Sequence, residues 1–376
     1  MKIAINCIFC QPQGGGIKEY IVNLTNHIAQ LDHDNTYILY ALEDQLSYAR
    51  TMLPARFQLK TVPFKSGFFS VIERSLFSQS FWTKEEATER FDLFHSPFFY
   101  APKLKRAKLV VTVHDLRLYR FPRTYNLLRY LYLQYSVKET IRRAHRIISI
   151  SNFTKEEIVD ICKVSPEKIT VIHEAVDRQG FSPTLLSGYQ LPDEHKHLAE
   201  GRFIFSLGHI EPRKNYSRLI EAFRRLRQEE RNADVKLVVA GKPNVDANAI
   251  IRQMNETDGV VYLNFVPREL LLWLYQHAAL FVFPSYYEGF GFPPLEAASL
   301  GTLSAVSRAS SIPEVCGDCS FYFDPYDVAG MAASIDTALN DEDKRQQKQA
   351  LLEQQLDRFS WERNAKETIA LYESMV

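Results

Sequence analysis

The sequence lacks the features of membrane-spanning and repeat proteins. It has no run of 18 apolar residues, so no segment is expected to cross a bilayer. It has no internal repeat and no low-complexity tract, and its first residues, MKIAINCIFC, are followed too soon by polar residues for a signal peptide. With 46% hydrophobic and 24% charged residues, the 376-residue chain has a globular composition, and its length predicts two domains.

A zinc site is not expected, although the sequence contains two C-x2-C pairs. These pairs are Cys7 with Cys10 and Cys316 with Cys319. They lie about 300 residues apart, whereas the pairs of a zinc ribbon lie about 15–20 apart. Buried thiols in a reducing compartment are the preferred interpretation, and we predict no bound metal.

The chain has no net charge, but its two halves differ in sign. Residues 1–178 contain 25 Lys and Arg against 18 Asp and Glu, and the remainder contains 20 against 27. A basic half suits an anionic partner such as a membrane surface, a lipid diphosphate or a nucleic acid. Basic residues interleaved with stacking aromatics would indicate a nucleic-acid-binding face. Nothing specific in the sequence supports one, and we predict no nucleic-acid partner.

Short apolar runs alternate with amphipathic stretches along the chain, as in proteins built from β-α-β units. Residues 178–201 contain turn formers and no period, which indicates a linker. We therefore predict an α/β fold with two doubly wound, Rossmann-like domains, 1–178 and 179–360.

Residues 281–301, FVFPSYYEGFGFPPLEAASLG, are the most informative about function. A buried strand is predicted at 280–283 and is ended by Pro284. A loop with two glycines follows, and Pro293 and Pro294 then open a helix. Backbone N–H groups and the positive end of a helix dipole meet at such a junction. The junction therefore suits an anionic ligand.

Two glutamates give this junction a second property. Glu288 lies in the loop, and Glu296 lies eight residues later, in the predicted first turn of the helix. A carboxylate repels a phosphate, so these side chains are better suited to the hydroxyl groups of a ribose or a sugar. A nucleotide-sugar site needs both kinds of group. A plain strand–turn–helix with a solvated glutamate is the alternative.

Other predicted strand ends carry residues suited to the same ligand. Arg213 and Lys214 lie at a predicted junction between a strand and a helix. The planar guanidinium of one and the compact ammonium charge of the other are together suited to holding a diphosphate. A solvated pair of side chains is the alternative. The glycine-rich loop 11–16 precedes a helix predicted from Ile17 and suits a phosphate, unless it is a flexible hairpin. It is not G-x-G-x-x-G, so a nicotinamide site is unsupported. His114 ends the strand KLVVTVHD, where ligands of doubly wound sheets gather; a structural histidine is the alternative.

These stretches resemble one family. FPSYYEGFGFPPLEA is similar to the E-x7-E signature of the retaining glycosyltransferases of family four, which have the GT-B fold. GHIEPRKN resembles the family's diphosphate loop, TVHDL a motif whose histidine lies against the donor sugar, and FSWERNAKETIALYESM its terminal helix. The resemblance covers both domains and is strongest in 203–325. It implies two domains that face a cleft, with 361–376 crossing back onto the first.

The resemblance also implies roles for individual residues, and four of them are expected to be catalytic: His114, Arg213, Lys214 and Glu288. Arg213 and Lys214 would hold the donor diphosphate, Glu296 the ribose and Glu288 the sugar, against which His114 would also lie. The remaining residues expected at the donor are Gly15, Gly16, Gly208, Val266, Gly289, Phe290, Gly291 and Phe292. The family often has glycine where this chain has Asn264, which leaves the identity of the base open.

The implied reaction is transfer of a sugar from a nucleotide diphosphate with retention of configuration. Fixed cations and helix dipoles stabilise the departing diphosphate and can replace a metal ion. GDP-mannose is the preferred donor, with a UDP- or dTDP-sugar as the alternative, and the acceptor is a lipid-linked or surface-polysaccharide glycan. A sugar- or lipid-head-binding protein without catalysis is the alternative of a different class.

Two helical stretches, 65–82 and 124–146, are candidates for contact with a membrane surface. The first is rich in aromatic residues beside Lys65 and Arg74, and packing on the core sheet is its alternative. The second is amphipathic and basic. We predict a cytoplasmic protein that works at the inner face of the cell membrane.

Overall fold

The computed structural model describes residues 1–64, 69–122 and 127–375, and only the backbone of 69–77, 128 and 129. The chain forms two compact units. The first comprises Met1–Glu174 with Trp361–Val376, and the second comprises Ala175–Ser360. The first unit thus ends four residues before the boundary predicted at residue 178.

The first unit is built on a seven-stranded parallel sheet. Its strands are β1 (Lys2–Asn6), β2 (Thr36–Leu42), β3 (Gln58–Val62), β4 (Leu93–Ser96), β5 (Lys108–Val113), β6 (Arg146–Ser149) and β7 (Ile169–Val171). They lie in the order β3-β2-β1-β4-β5-β6-β7. Its helices are α1 (Gly15–Leu31), α2 (Leu46–Met52), α3 (Phe69–Glu89), α4 (Arg117–Arg120), α5 (Leu127–Arg143) and α6 (Asn152–Cys162).

The second unit is built on a six-stranded parallel sheet. Its strands are β8 (Phe203–Leu207), β9 (Lys236–Ala240), β10 (Val260–Leu263), β11 (Leu280–Phe283), β12 (Ser304–Ser307) and β13 (Phe321–Phe323). They lie in the order β10-β9-β8-β11-β12-β13. Its helices are α7 (Tyr216–Leu226), α8 (Ala247–Asn255), α9 (Arg268–His277), α10 (Phe292–Ser299), α11 (Ile312–Cys316), α12 (Val328–Asn340), α13 (Glu342–Gln349) and α14 (Leu352–Leu356).

A final helix, α15 (Trp361–Glu373), belongs to the first unit. The Trp361 ring lies 5.9 Å from the ring of Tyr20 on α1. Farther along the helix, the Tyr372 hydroxyl lies 2.5 Å from Nδ1 of His95 on β4. Aromatic packing and a buried polar contact therefore hold α15 against the first sheet.

The strands are apolar because both faces of each parallel sheet are covered. All four residues of β11, for example, are at most 1% exposed. Both sheets have the strand order of a doubly wound fold, which confirms the predicted α/β architecture with two Rossmann-like domains.

The strand order of the second unit positions the candidate site. The chain runs from β8 outward to β9 and β10, and then returns to the opposite side of β8 with β11. The loops that follow β8 and β11 therefore leave neighbouring strands in diverging directions. In open sheets of this kind, ligands bind at such a switch point, outside the carboxyl ends of the strands.

The two predicted membrane segments are described only in part. Lys65 and the side chain of Arg74 lie outside the described residues. Trp82 is 2% exposed and packs against the rings of Tyr40 and Phe94, so its aromatic ring serves the core, not a membrane. Within the described ranges, no helix combines the length and the apolar character needed to cross a bilayer.

Candidate functional site

The loops after β8 and β11 are fastened to each other. The backbone N–H of Tyr286 donates to the carbonyl of Arg213 at 3.0 Å. The side-chain amide of Asn215 donates to the carbonyls of Pro284, at 3.1 Å, and Pro325, at 2.8 Å. Asn215 adopts a left-handed conformation with φ of 60°, which asparagine tolerates better than most residues. These bonds fix the two loops side by side.

Arg213, Lys214 and Glu288 meet where the two loops converge. Lys214 Nζ donates to Glu288 Oε1 at 2.7 Å, and an Arg213 guanidinium nitrogen lies 3.0 Å from the same oxygen. Each of the three side chains is between 10% and 13% exposed. The structure therefore brings together three of the four residues predicted to be catalytic, although 74 positions separate Lys214 from Glu288.

Burial and charge together set the ionisation of this cluster. Burial alone would raise the pKa of Glu288, but Arg213 and Lys214 beside it lower that pKa to about 2. Burial also lowers the pKa of Lys214, and the Glu288 carboxylate opposes that change. Glu288 is therefore a carboxylate at neutral pH, in an environment with little solvent to screen it.

A second carboxylate, which sequence reasoning missed, completes the cluster. Glu211 accepts hydrogen bonds from Arg213 at 2.9 and 2.7 Å, and its other oxygen accepts one from the Asn244 amide at 2.8 Å. Two cations thus face two carboxylates. The signal for Glu211 was its place two residues before Arg213 in the same loop, but its partner on the loop after β9 depends on tertiary structure.

Serine hydroxyls shape the loop that carries Glu288. Ser311 donates to the carbonyls of Glu288, at 2.9 Å, and Phe290, at 2.8 Å. Ser310 accepts the backbone N–H of Glu288 at 2.9 Å. Both serines lie in the stretch SRASSIPE after β12, so a third loop holds the Glu288 backbone in place.

Helix α10 begins directly after this loop. Gly291 caps it with φ of 106°, a conformation that favours glycine. Pro293 and Pro294 in the first turn have no N–H group. Pro293 and Pro294 therefore cannot donate to an anion, and the predicted contacts of Gly289 to Phe292 with a sugar remain predictions.

Glu296 lies one residue further along α10 than predicted. The helix begins at Phe292, so Glu296 occupies its second turn and not its first. The hydroxyl of Tyr275 on α9 donates to Glu296 Oε2 at 2.6 Å. Tyr275 is fully buried. The pairing was not predicted, because Tyr275 occupies an apolar position in the pattern of its helix.

Gly208 and Val266 also lie at carboxyl ends of strands of the second unit. Gly208 has φ of 147°, and a side chain there would come within 3.1 Å of Lys214. Its carbonyl accepts the Tyr216 hydroxyl at 3.0 Å. Val266, three residues after β10, is 9% exposed. Their predicted roles toward a donor remain predictions.

The first unit contains His114, Gly15 and Gly16, whereas the cluster of Arg213, Lys214 and Glu288 belongs to the second unit. His114 Nδ1 lies 2.8 Å from Glu174 Oε1, and Nε2 lies 3.0 Å from the carbonyl of Pro97. Burial alone would lower the pKa of His114, but the Glu174 carboxylate raises it above its ordinary value. Sequence reasoning missed Glu174 as the partner of this histidine.

The glycine-rich loop is shorter than predicted. Helix α1 begins at Gly15, with Gly14 as its cap, so Gly15 and Gly16 form its first turn and not the loop before Ile17. Gly14 is enclosed, because a side chain there would meet the Phe9 carbonyl at 2.3 Å. Gly15 and Gly16 are both exposed.

No group of three His, Cys, Asp or Glu side chains among the described residues is placed to hold a metal ion. Asp-x-Asp triplets occur at 32–34 and 341–343. Asp32 accepts hydrogen bonds from Tyr37 and Asn35, and Asp341 caps α13. The first aspartate of each triplet therefore accepts hydrogen bonds from neighbouring residues of the fold.

Two family models match the chain and together cover both units. The model described as glycosyltransferase family 4 matches residues 14–180, and that described as glycosyl transferases group 1 matches residues 190–350. The second match includes the whole Arg213, Lys214 and Glu288 cluster.

Curated relatives agree with these matches. The chain is 32% identical over 290 residues to O-antigen chain mannosyltransferase B of Escherichia coli, and this match covers 74% of each protein. It is 33% identical over 236 residues to a serotype-specific mannosyltransferase WbdA of the same species. That match covers 59% of this chain but only 28% of WbdA, so the chain spans about a quarter of that protein's length.

Solved structures show the same fold. The structure of Anabaena HepE in complex with UDP and glucose superposes with a TM-score of 0.71 at 17% identity, and the match covers all of both chains. That identity supports a shared architecture alone. The family is shown by the relative that is 32% identical over about three quarters of both sequences, together with the two family models. This protein is a member of glycosyltransferase family four with the GT-B fold.

Proposed function

We propose that this glycosyltransferase transfers mannose from GDP-mannose to a lipid-linked or surface-polysaccharide glycan, with retention of configuration and without a metal ion. The names of its relatives, mannosyltransferases of O-antigen chains among them, support the sugar and the acceptor class. The observation that carries the chemistry is the buried cluster of Arg213, Lys214 and Glu288 at the switch point of the second sheet.

The cations of this cluster are suited to the leaving diphosphate. In the free protein they are paired with Glu211 and Glu288, so two positive charges balance two negative ones. An arriving diphosphate would take over N–H donors of Arg213 and Lys214. As the bond between the anomeric carbon of the sugar and the diphosphate breaks, negative charge grows on the diphosphate. Fixed cations in a poorly solvated site stabilise that charge strongly.

The exchange of partners gives Glu288 a second role. Once the diphosphate shares its cations, the carboxylate can accept hydrogen bonds from sugar hydroxyls. Glu296, which accepts a hydrogen bond from Tyr275, is proposed to accept the ribose hydroxyls in the same way. The site then provides amides and cations for phosphate and carboxylates for hydroxyl groups, as a nucleotide sugar requires.

Retention is proposed to follow a front-face route, in which an oxygen of the departing diphosphate takes the acceptor proton. Labelled GDP-mannose and a mannose-terminated acceptor test this when the anomeric configuration of the product is read by NMR. An α-linked product from the α-linked donor is expected. A β-linked product would rule the route out, and loss of transfer on chelation with EDTA would rule out metal independence.

A thermal-shift screen with GDP-, UDP-, dTDP- and ADP-sugars tests the donor, because a ligand of the folded state raises its melting temperature. GDP-mannose is expected to give the largest rise. A larger rise with a UDP- or dTDP-sugar would show that the base of the donor is uracil or thymine and not guanine. Binding of a donor with neither transfer nor hydrolysis would favour a sugar-binding protein that has lost catalysis, against which the intact cluster argues.

Helix α5 supports a contact with an anionic bilayer. Four of its large hydrophobic side chains face solvent, Leu127 at 69%, Leu131 at 50%, Tyr132 at 41% and Tyr135 at 71% exposure. Basic side chains of α4 lie close by in sequence, with Arg117 at 49% and Arg120 at 51% side-chain exposure, although Arg117 is paired with Asp115 and Arg120 with Glu157. An exposed apolar face with basic neighbours is suited to anionic head groups.

Flotation with vesicles tests the membrane contact. The protein is expected to float with vesicles that contain phosphatidylglycerol and less with pure phosphatidylcholine, and Leu131→Glu with Tyr135→Glu should abolish flotation. Leu185→Glu is a matched control, because Leu185 is also 50% exposed but lies in the second unit. Equal flotation of both variants, or a stable dimer that the α5 variant alone disrupts, would contradict the proposal.

A further inference from the structure

His114 lies between two hydrogen-bond acceptors. Its Nδ1 faces the Glu174 carboxylate at 2.8 Å, and its Nε2 faces the Pro97 carbonyl at 3.0 Å. A ring nitrogen without a proton would turn a lone pair toward either acceptor. The geometry is therefore satisfied when both nitrogens carry a proton and the ring is an imidazolium.

The charged and titratable groups around this ring favour that state. The side chain of Glu174 is only 2% exposed and that of His114 14%, so little solvent screens the pair. Asp115, the next residue, adds a second negative charge that also raises the pKa of His114. His95 on β4 stays neutral, because burial and then the charge of His114 lower its pKa to about 3.

The ring is also held in orientation. The Tyr20 ring of α1 meets the His114 ring edge-on, with centroids 4.9 Å apart and planes at 85°. The Tyr20 hydroxyl in turn lies 3.2 Å from Thr112 Oγ1 on β5. Two hydrogen bonds and one aromatic contact therefore leave the imidazole little freedom to turn.

We propose that Glu174 is a positioning residue that keeps both nitrogens of His114 protonated, so that Nε2 serves as a permanent hydrogen-bond donor and never as a base. An oxygen of the ligand then replaces the Pro97 carbonyl as the acceptor of the Nε2 proton. No proton is transferred in this step. The class of ligand group is an acceptor oxygen, such as a sugar hydroxyl or a phosphate oxygen.

The role of the ring in turnover rests on the proposed transferase function, whereas its protonation state does not. The two are tested separately. Protein labelled with 15N-histidine reports the protonation of each ring nitrogen directly by NMR, and a His114→Gln variant identifies the resonances of His114. In the wild-type protein, both nitrogens of His114 are expected to be protonated at pH 7.

The chain offers an internal reference for this spectrum. Nδ1 of His145 accepts the backbone N–H of Leu109 at 3.0 Å, and burial lowers the pKa of His145. His145 is therefore expected to be neutral at pH 7 in the same sample. A neutral His114 ring at pH 7 in the wild-type protein would overturn the proposal without the need for any variant.

Glu174→Gln removes the charge and keeps the shape. A glutamine amide can donate to an unprotonated Nδ1 while Nε2 still donates to Pro97, so the neutral ring retains both bonds. The apparent pKa of His114 is expected to fall by about one pH unit or more, with His145 unchanged. An unchanged titration of His114 would refute a role for Glu174.

The pH profile of transfer supplies the second readout. In the Glu174→Gln variant, Nε2 of the neutral ring still donates but is a weaker donor than an imidazolium nitrogen, because the hydrogen bond is no longer charge-assisted. The value of kcat/KM is therefore expected to be about tenfold below wild type at pH 8 and to recover toward the wild-type value at pH 6, where the ring is protonated again. A loss that is equal at both pH values would show a merely structural role. If the NMR result holds while no sugar donor is turned over at all, the transferase proposal fails and the protonation of His114 by Glu174 stands.

Discussion

Glu288 competes with the ligand that its neighbours are proposed to bind. Its Oε1 lies 2.7 Å from Lys214 Nζ and 3.0 Å from the Arg213 guanidinium. Every anion that binds these cations must share them with this carboxylate. The residue therefore keeps two buried cations paired, and we expect it to weaken their hold on a diphosphate product.

Replacing Glu288 with glutamine is expected to tighten the binding of GDP and to abolish most turnover. The glutamine is isosteric but no longer neutralises the two cations, so the affinity for GDP should rise about tenfold, while kcat falls at least 100-fold. Isothermal titration calorimetry measures the first effect and a radiolabelled transfer assay the second. Glu256→Gln, at an exposed position of the same unit, should change neither.

The same carboxylate makes stability depend on acid pH. Its pKa is lowered from 4.5 to about 2 in the folded protein, so its contribution is complete above pH 4.5 and disappears as the pH falls toward 2. By linkage this contribution is on the order of 3 kcal/mol. The difference in Tm between wild type and Glu288→Gln should shrink steadily from pH 5 to pH 2. A constant difference would mean that the ion pairs do not stabilise the fold.

At the residue scale, the sequence identified the members of the cluster but not their partners. Arg213, Lys214 and Glu288 were predicted because they lie in loops between a strand and a helix, where ligands of doubly wound sheets bind, and because these loops resemble those of the family. Glu211, Asn244, Tyr275 and Glu174 were not predicted. Each acts through a partner on another element, and a single sequence carries no information on which elements meet.

At the scale of elements, the glycines after β8 and β9 decide how closely two loops approach. The N–H of Gly208 donates to the Ala240 carbonyl at 3.0 Å, and Gly241 has φ of 153°. A side chain on Gly241 would lie 1.9 Å from the Gly208 carbonyl oxygen. The backbone that supports the loop of Arg213 and Lys214 therefore leaves no space for a side chain at Gly241.

Gly241→Ala is expected to lower the free energy of unfolding by about 3 kcal/mol, because backbone strain adds to a steric clash with Gly208. Urea denaturation followed by circular dichroism measures the loss. Gly188→Ala is a matched control, since Gly188 also has a positive φ, of 81°, but open space where the side chain would go. The control should lose about 1 kcal/mol. Equal losses in the two variants would show that the close approach of Gly241 to Gly208 does not contribute to the destabilisation.

Element types were predicted more reliably than their ends. The strand at 280–283 was predicted with the observed bounds, because a short apolar run between breakers fits a buried strand. Helix α1 begins two residues before the predicted Ile17, because glycines that read as a loop form its first turn. Likewise, α10 begins at Phe292, so the predicted place of Glu296 in its first turn was wrong.

At the scale of the whole molecule, the two halves of the chain differ in the sign of their charge. The half with the excess of Lys and Arg, residues 1–178, also carries the exposed hydrophobic face of α5. The acidic half carries the buried cations of the candidate donor site. Net charge therefore gave no indication of where an anionic donor binds, because two buried cations matter more there than the sum over a surface.

The most direct test of the central claim compares GDP with guanosine on the wild-type protein and on Lys214→Met, which removes the charge and keeps the length of the side chain. The variant is expected to bind GDP about 10- to 100-fold more weakly and guanosine with unchanged affinity, because only GDP has a diphosphate for Lys214 to hold. Equal losses for both ligands, or unchanged binding of GDP, would contradict the assignment of Arg213 and Lys214 as the cations that receive the diphosphate.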